Sequence, residues 1–368
     1  MDSIYASQTV QRPRVDLSQT RQPQLNPPSP DTSRSRKRSP SPIRQQTQSL
    51  KDTGIPRVVI QSENIGINED HEARGLWKVL REAANGPVIP VELQERLEQD
   101  PMYVDVLLPA AVFPAPDSAR LPDEPSVNRL WNRVKHILRA ANECDSYQKD
   151  ENAWSEVVRL VLRTAMFDFA VHLEEETLAD LDVTNIQSQA IDRQFLPRFQ
   201  SAPGYCDRRT DLAVAFHPHH AEYGSLRQAV CQVGLPLSHM KDAYSSTVAL
   251  AHPVEIKAAN GNAEEAQLQL AVFHASASVF LQRVPQPPML GWTVIGHKWT
   301  LFIAWTTTSG TVVEVRSPSL SRNVGTTDAE ALFTLLAVLR SGFEWLRQHY
   351  WPKYAAMMET KLAKSAPL

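Results

Sequence analysis

The segment HPVEIKAANGNAEEAQLQLAVFHASA, residues 252–277, decides how the chain is read. It opens with a strand pattern. Val254 and Ile256 alternate with Glu255 and Lys257, and a period of two puts the apolar pair on one face and the charged pair on the other. Gly261 and Asn262 break the pattern, and a helix-like run with two glutamines, Gln267 and Gln269, follows over 262–283. A carboxylate and an ammonium on one face of a half-buried strand have two readings. Either the face is solvated, or both charges belong to a site.

A second strand, TDLAVAF (210–216), bears on the choice. Leu212, Val214 and Phe216 share one face, and Asp211 shares the other with Ala213 and Ala215. Neighbouring strands lie about 4.8 Å apart, so Asp211 and Glu255 can converge. Two carboxylates that close raise each other's pKa unless a cation sits between them, and hard oxygen ligands suit magnesium or manganese. A lysine beside such a site can hold a water or stabilise developing negative charge. Upstream, DENAWSEVVRLVLRTAMFDFA (150–170) reads as an amphipathic helix. At 100° per residue from Trp154, Glu151 falls near about 60°, on the apolar side, and Glu156 near about 200°, on the opposite one. Glu151 is therefore the helix acid that faces inward. Its alternative is a first-turn acid favoured by the helix dipole.

The rest of the 368 residues frames these elements. Residues 1–55 are rich in Ser, Pro, Gln and Arg, lack apolar periodicity and read as a disordered tail. The tail carries nine Lys and Arg against four acids, a net of +5, which leaves −8 for the remainder of a chain whose formal charge is −3. An acidic body argues against a broad basic surface for nucleic acid, though not against a local basic groove. Within the tail, SRSRKRSPSPIR (33–44) joins a basic cluster to two Ser-Pro steps. It reads as a nuclear import signal tunable by phosphorylation, or as a solvated basic arm. Three widely spaced cysteines, Cys144, Cys206 and Cys231, give neither a disulfide framework nor a zinc spacing and suit a reducing, intracellular compartment. No signal peptide or apolar run long enough to span a membrane is evident.

Helical patterns cover 72–84 and 126–141, with a proline-rich loop (113–125) between them. GWTVIGH (291–297) and KWTLFIAWTTTSGTVVEVR (298–316) give two or three strands, turning at Ser309-Gly310, and a closing helix (328–350) ends near Pro352. The expected fold is α/β (α+β), one domain over 70–358 with a C-terminal tail (359–368).

The order of helix Glu, strand Asp, strand Glu-x-Lys and helix resembles the PD-(D/E)XK nuclease superfamily, and most closely its fungal nuclease-like branch. ENAWSEVVRLVL is similar to that branch's Glu-x-x-Trp helix, RRTDLAV to its basic-x-Asp strand, and VEIKAANGNAEEAQLQLAVFHASA to its Glu-x-Lys strand and following helix. WTVIGHKWTLFIAW and FEWLRQHYWPKY resemble its later strands and C-terminal helix. The resemblance spans roughly 70–358. It implies a restriction-endonuclease-like core and a magnesium- or manganese-dependent nuclease acting on DNA or RNA. Asp211 and Glu255 would ligate the metal, with the Ile256 carbonyl as a further ligand. Lys257 would hold the attacking water, Glu151 would complete the site, and Gln269 would support it. Four features depart from the pattern. The 44-residue separation of Asp211 and Glu255 implies an insertion, Thr210 rather than Pro precedes Asp211, Arg209 stands where the branch commonly has Lys, and Phe273 stands where an exonuclease-like helix has Tyr.

Other readings stay open at this level. The HPHH loop (His217, His219, His220), with His239 as fourth ligand, is a zinc or nickel site or a solvated cluster. His297 is structural or lines the site. Trp292, Trp299 and Trp305 are core or base-stacking platforms. Arg208, Arg209, Lys241 and Lys257 are the candidate basic rim. A catalytically inactive or repurposed nuclease fold, serving as a binding module or acting on a small molecule, is the rival to a nuclease. The oligomeric state is left open.

Overall fold

Backbone amides buried in a core must be paired, and here helices and one seven-stranded mixed sheet pair them. The computed structural model describes residues 41–62, 72–99, 113, 124–169, 178, 180–200, 204–281 and 287–365. Its strands are β1 (Gly54–Ile55), β2 (Arg57–Ser62), β3 (Leu181–Asn185), β4 (Arg198–Phe199), β5 (Leu212–Phe216), β6 (Leu250–Lys257), β7 (Met289–Ile295), β8 (Lys298–Thr306) and β9 (Val312–Ser317). Its helices are α1 (Pro42–Thr53), α2 (Glu72–Asn85), α3 (Gln94–Gln99), α4 (Glu124–Ser146), α5 (Glu151–Arg163), α6 (Ala221–Gln232), α7 (Ala263–Phe280), α8 (Ala329–Trp345) and α9 (Trp351–Ser365).

The main sheet runs β2-β9-β8-β7-β6-β5-β3, and β1 pairs β4 separately. Strands β6 and β7 are parallel, as are β2 and β9, while the other neighbours are antiparallel. One face of the sheet packs on α2, α4, α5, α8 and α9 through residues such as Leu80, Leu138, Val158, Leu336 and Phe343. The other packs on α1 and α7 through Leu50, Leu268, Val272 and Phe273. Every residue of β5 and β6 is therefore buried. This corrects the expected half-buried strand: the charged face of Glu255 and Lys257 lies beneath the domain interior, where a charge is expensive.

Four sequence expectations change. The expected tail reaches only to residue 41 at most, because Pro42–Thr53 is helical. Ser41 caps it, accepting the Arg44 amide at 3.3 Å, Pro42 occupies its first turn, and Leu50 is buried. The Arg44 guanidinium reaches Glu264 at the start of α7 at 2.7 Å. The closing helix passes Pro352 instead of ending there. A π-helical turn, Leu346–Tyr350, absorbs the missing amide, and α9 runs on to Ser365 through the expected C-terminal tail. The connection between Asp211 and Glu255 contains α6, and β3 adds a sheet edge that the sequence reading lacks. The core of the basic cluster, residues 33–40, and most of the 113–125 loop lie outside the described residues. The free cysteines agree with expectation.

The interior also holds three fully buried histidines. His239 packs edge-on to Phe273 at 4.4 Å, His252 lies 5.3 Å from Phe343, and His274 fills the space over Gly291. Neither ring nitrogen of His252 or His274 has a hydrogen-bond partner. Burial pushes all three down to about 3. The unfolded chain takes up these protons near pH 6.5 and the folded chain near 3, so stability falls as pH drops through that window. Thermal melts between pH 7 and 4 should show this loss. His274→Gln should lower the slope by about 1.4 kcal/mol per pH unit, one proton's worth. An unchanged slope would show that His274 does not enter the native state neutral.

Candidate active site

Three chain features bring the acids together. The register Leu212↔Val254 between β5 and β6, carried one step further, sets Asp211 opposite Glu255. The Ile256 amide then donates to Asp211 Oδ2 at 2.7 Å, and the Ile186 amide donates to the Asp211 carbonyl at 2.9 Å. Upstream, the pairing slips between Ala213 and Val214, leaving His252 as the extra residue of a bulge at φ +42°. Alternation read back from Glu255 fails beyond this point: Leu250 faces the α7 side although its parity matches Val254.

The chain then turns sharply off β6. A Cβ on Gly261 would lie 2.3 Å from the Lys257 Cβ and 3.0 Å from the Ala258 carbonyl oxygen, so only glycine lets the loop close over Lys257. Asn262 caps α7 by accepting the Glu264 and Glu265 amides, and α7 carries Gln269 back over the strands. Its Nε2 donates to the Arg209 carbonyl at 2.8 Å. From the opposite layer, Asp150 caps α5 and places Glu151 in its first turn.

Lys257 is the hub. Its Nζ lies 2.9 Å from Glu255 Oε1 and 3.7 Å from Glu151 Oε1. The Glu255 side chain is 0 % exposed, that of Lys257 10 % and that of Glu151 42 %. Glu156 is exposed, as the helix wheel predicts. At 2.9 Å from Oε1, the Lys257 ammonium is the main partner of the Glu255 carboxylate; among the described residues no backbone amide or hydroxyl donates to it, and Gln269 Oε1 is likewise without a donor. Burial first, and Asp211 second, hold the Glu255 pKa well above the usual carboxylate range, against the pull of Lys257. Burial also raises Asp211, opposed by the Ile256 amide and Lys257. For Lys257, burial lowers the pKa, but Glu255, Glu151 and Asp211 together outweigh it and the net shift is upward. The ammonium therefore stays charged, and the carboxyl pair keeps a proton to higher pH than ordinary carboxyls do.

The family model of the PD-(D/E)XK nuclease superfamily matches residues 107–351, two thirds of the chain and all of these side chains. The chain belongs to this superfamily. No curated protein matches it. The match takes in β3 to β9 and α4 to α8 and leaves α1, β1, β2, α2 and α3 outside. The fold is that of the superfamily in its mixed sheet flanked by helices.

The superfamily's enzymes use divalent metals, and the donor set suits such an ion. It consists of hard oxygens, and the two on Glu255 are buried with the Lys257 ammonium and Asp211 beside them. Among the described residues, however, no three acids, histidines or cysteines are already spaced around a common point. The Lys257 ammonium sits between Glu255 and Glu151 and supplies the positive charge itself.

Other expected residues lie elsewhere. His217 and His219 are ring neighbours at 5.8 Å, but His239 is buried against Phe273, so the HPHH cluster is not a metal site with His239 as fourth ligand. His297 packs edge-on to Trp154, with Nδ1 2.9 Å from the Thr326 carbonyl oxygen, a structural role. Trp292, Trp299 and Trp305 are buried in the core and offer no stacking platform. Of the expected rim, Arg208 bonds Gln46 of α1 and Arg209 reaches the Ser188 carbonyl at 3.4 Å. Sequence reasoning passed over Thr210, whose buried hydroxyl beside Asp211 has no partner, and Gly261. The Gly-Asn pair before the helix was the available signal for the latter.

A buried carboxyl with raised pKa destabilises the metal-free protein as pH rises above its ordinary range near 4.5. Glu255→Gln removes that titration, so the variant's stability relative to wild type should rise as pH increases above the ordinary carboxyl range. The difference should level off as pH approaches 4.5, where the wild-type carboxyl is protonated in both states. Denaturant melts in chelator across this range read it directly. A stability difference that does not change with pH would overturn the raised Glu255 pKa.

Proposed function

We propose that the chain is a metal-dependent phosphodiesterase that hydrolyses nucleic acid, with Mg2+ or Mn2+ held by Asp211, Glu255 and Glu151. One observation carries the reading: a fully buried carboxylate lies beside a second carboxylate and an ammonium in a member of a nuclease superfamily. Left as a structural feature, that arrangement lowers stability. Retention of such a group fits a role in charge chemistry.

The ion, when bound, stabilises the charge that grows on the phosphate oxygens and lowers the pKa of a water. The chain's residues do the rest. The Ile256 amide fixes the Asp211 carboxylate through Oδ2. Lys257 would orient the attacking water and lend its charge to the phosphoryl oxygens. Gln269, anchored on the Arg209 carbonyl, would support the site from α7. The basic run Arg34–Arg38 fits entry into the nucleus. No helix among the described residues is long and apolar enough to cross a membrane.

A second reading rests on charge. The −8 of residues 56–368, with Arg208 and Arg209 engaged by Gln46 and Ser188, favours an inactive or repurposed fold that binds a partner or acts on a small molecule. Calorimetry with Mg2+ and Mn2+, beside cleavage of plasmid DNA and of single-stranded RNA, separates the two. Under the nuclease reading, wild type binds metal and cuts, Asp211→Asn with Glu255→Gln does neither, and Lys257→Met binds metal but cuts about 10²–10³-fold more slowly. Metal binding without cleavage of either polymer supports the second reading. Wild type without metal binding sinks the first.

A further inference from the structure

The far end of α5 borders a feature that the acid cluster does not explain. Glu151 opens α5, and Phe169 closes the turn after it, about 27 Å further on at 1.5 Å per residue. There a cavity of about 330 Å3 lies between α2, the end of α5 and α8. Its size is in the range of sites for small molecules.

The cavity has two unlike walls. Val79 and Ala83 from α2, Pro87 just after it and Phe169 from the α5 end form an apolar wall of mostly small side chains. Opposite them, α8 and the turn after it present Arg340, Ser341, Glu344, Trp345, Gln348 and His349 along one helix face. The Trp345 indole and His349 imidazole lie nearly face to face, with centroids 4.0 Å apart and planes tilted by 31°. Trp345 is 7 % exposed, and its Nε1 has no acceptor. Arg340 and Glu344 form a 2.8 Å ion pair with the guanidinium almost wholly buried, and Arg347 ties Glu344 to Asp180. The acids and guanidiniums balance, so the wall is polar without net charge.

The backbone adds an independent sign. π-helical turns are rare and concentrate at functional sites. Thr164–Asp168 and Leu346–Tyr350 are both π-helical, and both border this cavity: Phe169 follows the first, and Gln348 and His349 belong to the second. Pro352 accounts for part of the second turn by withdrawing an amide, but no proline lies in or just after the first among the described residues.

We propose that this cavity binds a small planar heteroaromatic molecule of nucleobase size. An uncharged ring with an acceptor on its edge suits every wall. Its faces meet Phe169 and the Trp345–His349 pair, and the polar groups on its edge meet Ser341, Glu344 and Gln348. An anion would be opposed by Glu344, and an aliphatic chain would leave that polar wall unmatched. A free base and the base of a nucleotide share this chemistry. The inference is independent of the proposed phosphodiesterase, because none of these residues belongs to the acid cluster.

The test is a titration of the full chain, 15N-labelled at the tryptophan indoles, with adenine, uracil and adenosine monophosphate. Trp345→Phe assigns the Trp345 Nε1–H resonance. The expected result is a saturable shift of that resonance, with at least tenfold weaker binding in Ala83→Leu, which fills the apolar wall. Thermal melts of both variants confirm that they fold. Binding of adenine and its monophosphate alike points to recognition of the base. Binding of the monophosphate alone points to a nucleotide that adds contacts at the cavity mouth. No shift of Trp345 by any of the three probes overturns the proposal, as does a shift at Trp154, one turn from Glu151, without one at Trp345.

Discussion

The burial of Glu255 beside Lys257 is the constraint on which the rest of the site depends. A carboxylate wholly removed from water needs compensation, and the structure supplies it incompletely: one ammonium at 2.9 Å and a second carboxylate next door. The burial itself follows from topology. Strand β6 lies between β5 and β7 in the sheet and between α7 and the α5/α8 layer across it, so neither of its faces reaches solvent.

The surrounding elements position that uncomfortable group. The β5–β6 register brings Asp211 opposite it, the Ile256 amide fixes how Asp211 points, and Gly261 lets the chain fold back over Lys257 into α7. The cap of α5 holds Glu151 at the open side, the one acid with freedom to move. Buried charge at the strand ends and neutral histidines buried elsewhere in the core both reduce stability, at opposite ends of the pH scale. Extensive apolar packing on both faces of the sheet offsets them.

Residues 41–62 extend the fold beyond the family match. Strand β2 joins the sheet edge beside β9, and α1 packs on the α7 side, where Arg44 meets Glu264 and Gln46 meets Arg208. Arg208 lies three residues before Asp211 and Glu264 five before Gln269, so this added helix contacts both segments that carry the site. The same contact engages Arg208, one of the cations that the sequence left available for a nucleic-acid rim.

The sequence by itself determined the elements that carry strong local signals. Period two located β5 and β6, the Gly-Asn break located the start of α7, and the 3.6-residue period of α5 turned Glu151 inward and Glu156 outward. These hold because side-chain alternation and helix capping are set by near neighbours in the chain. Tertiary structure alone decided the remainder. It buried the charged face of β6, made Pro42–Thr53 a helix by docking Leu50 into the core, carried the last helix past Pro352 through a π-helical turn, and separated His239 from the HPHH loop. Each of these depends on what a distant segment covers or fills. Contacts between residues hundreds of positions apart leave no periodic trace in the sequence around either one.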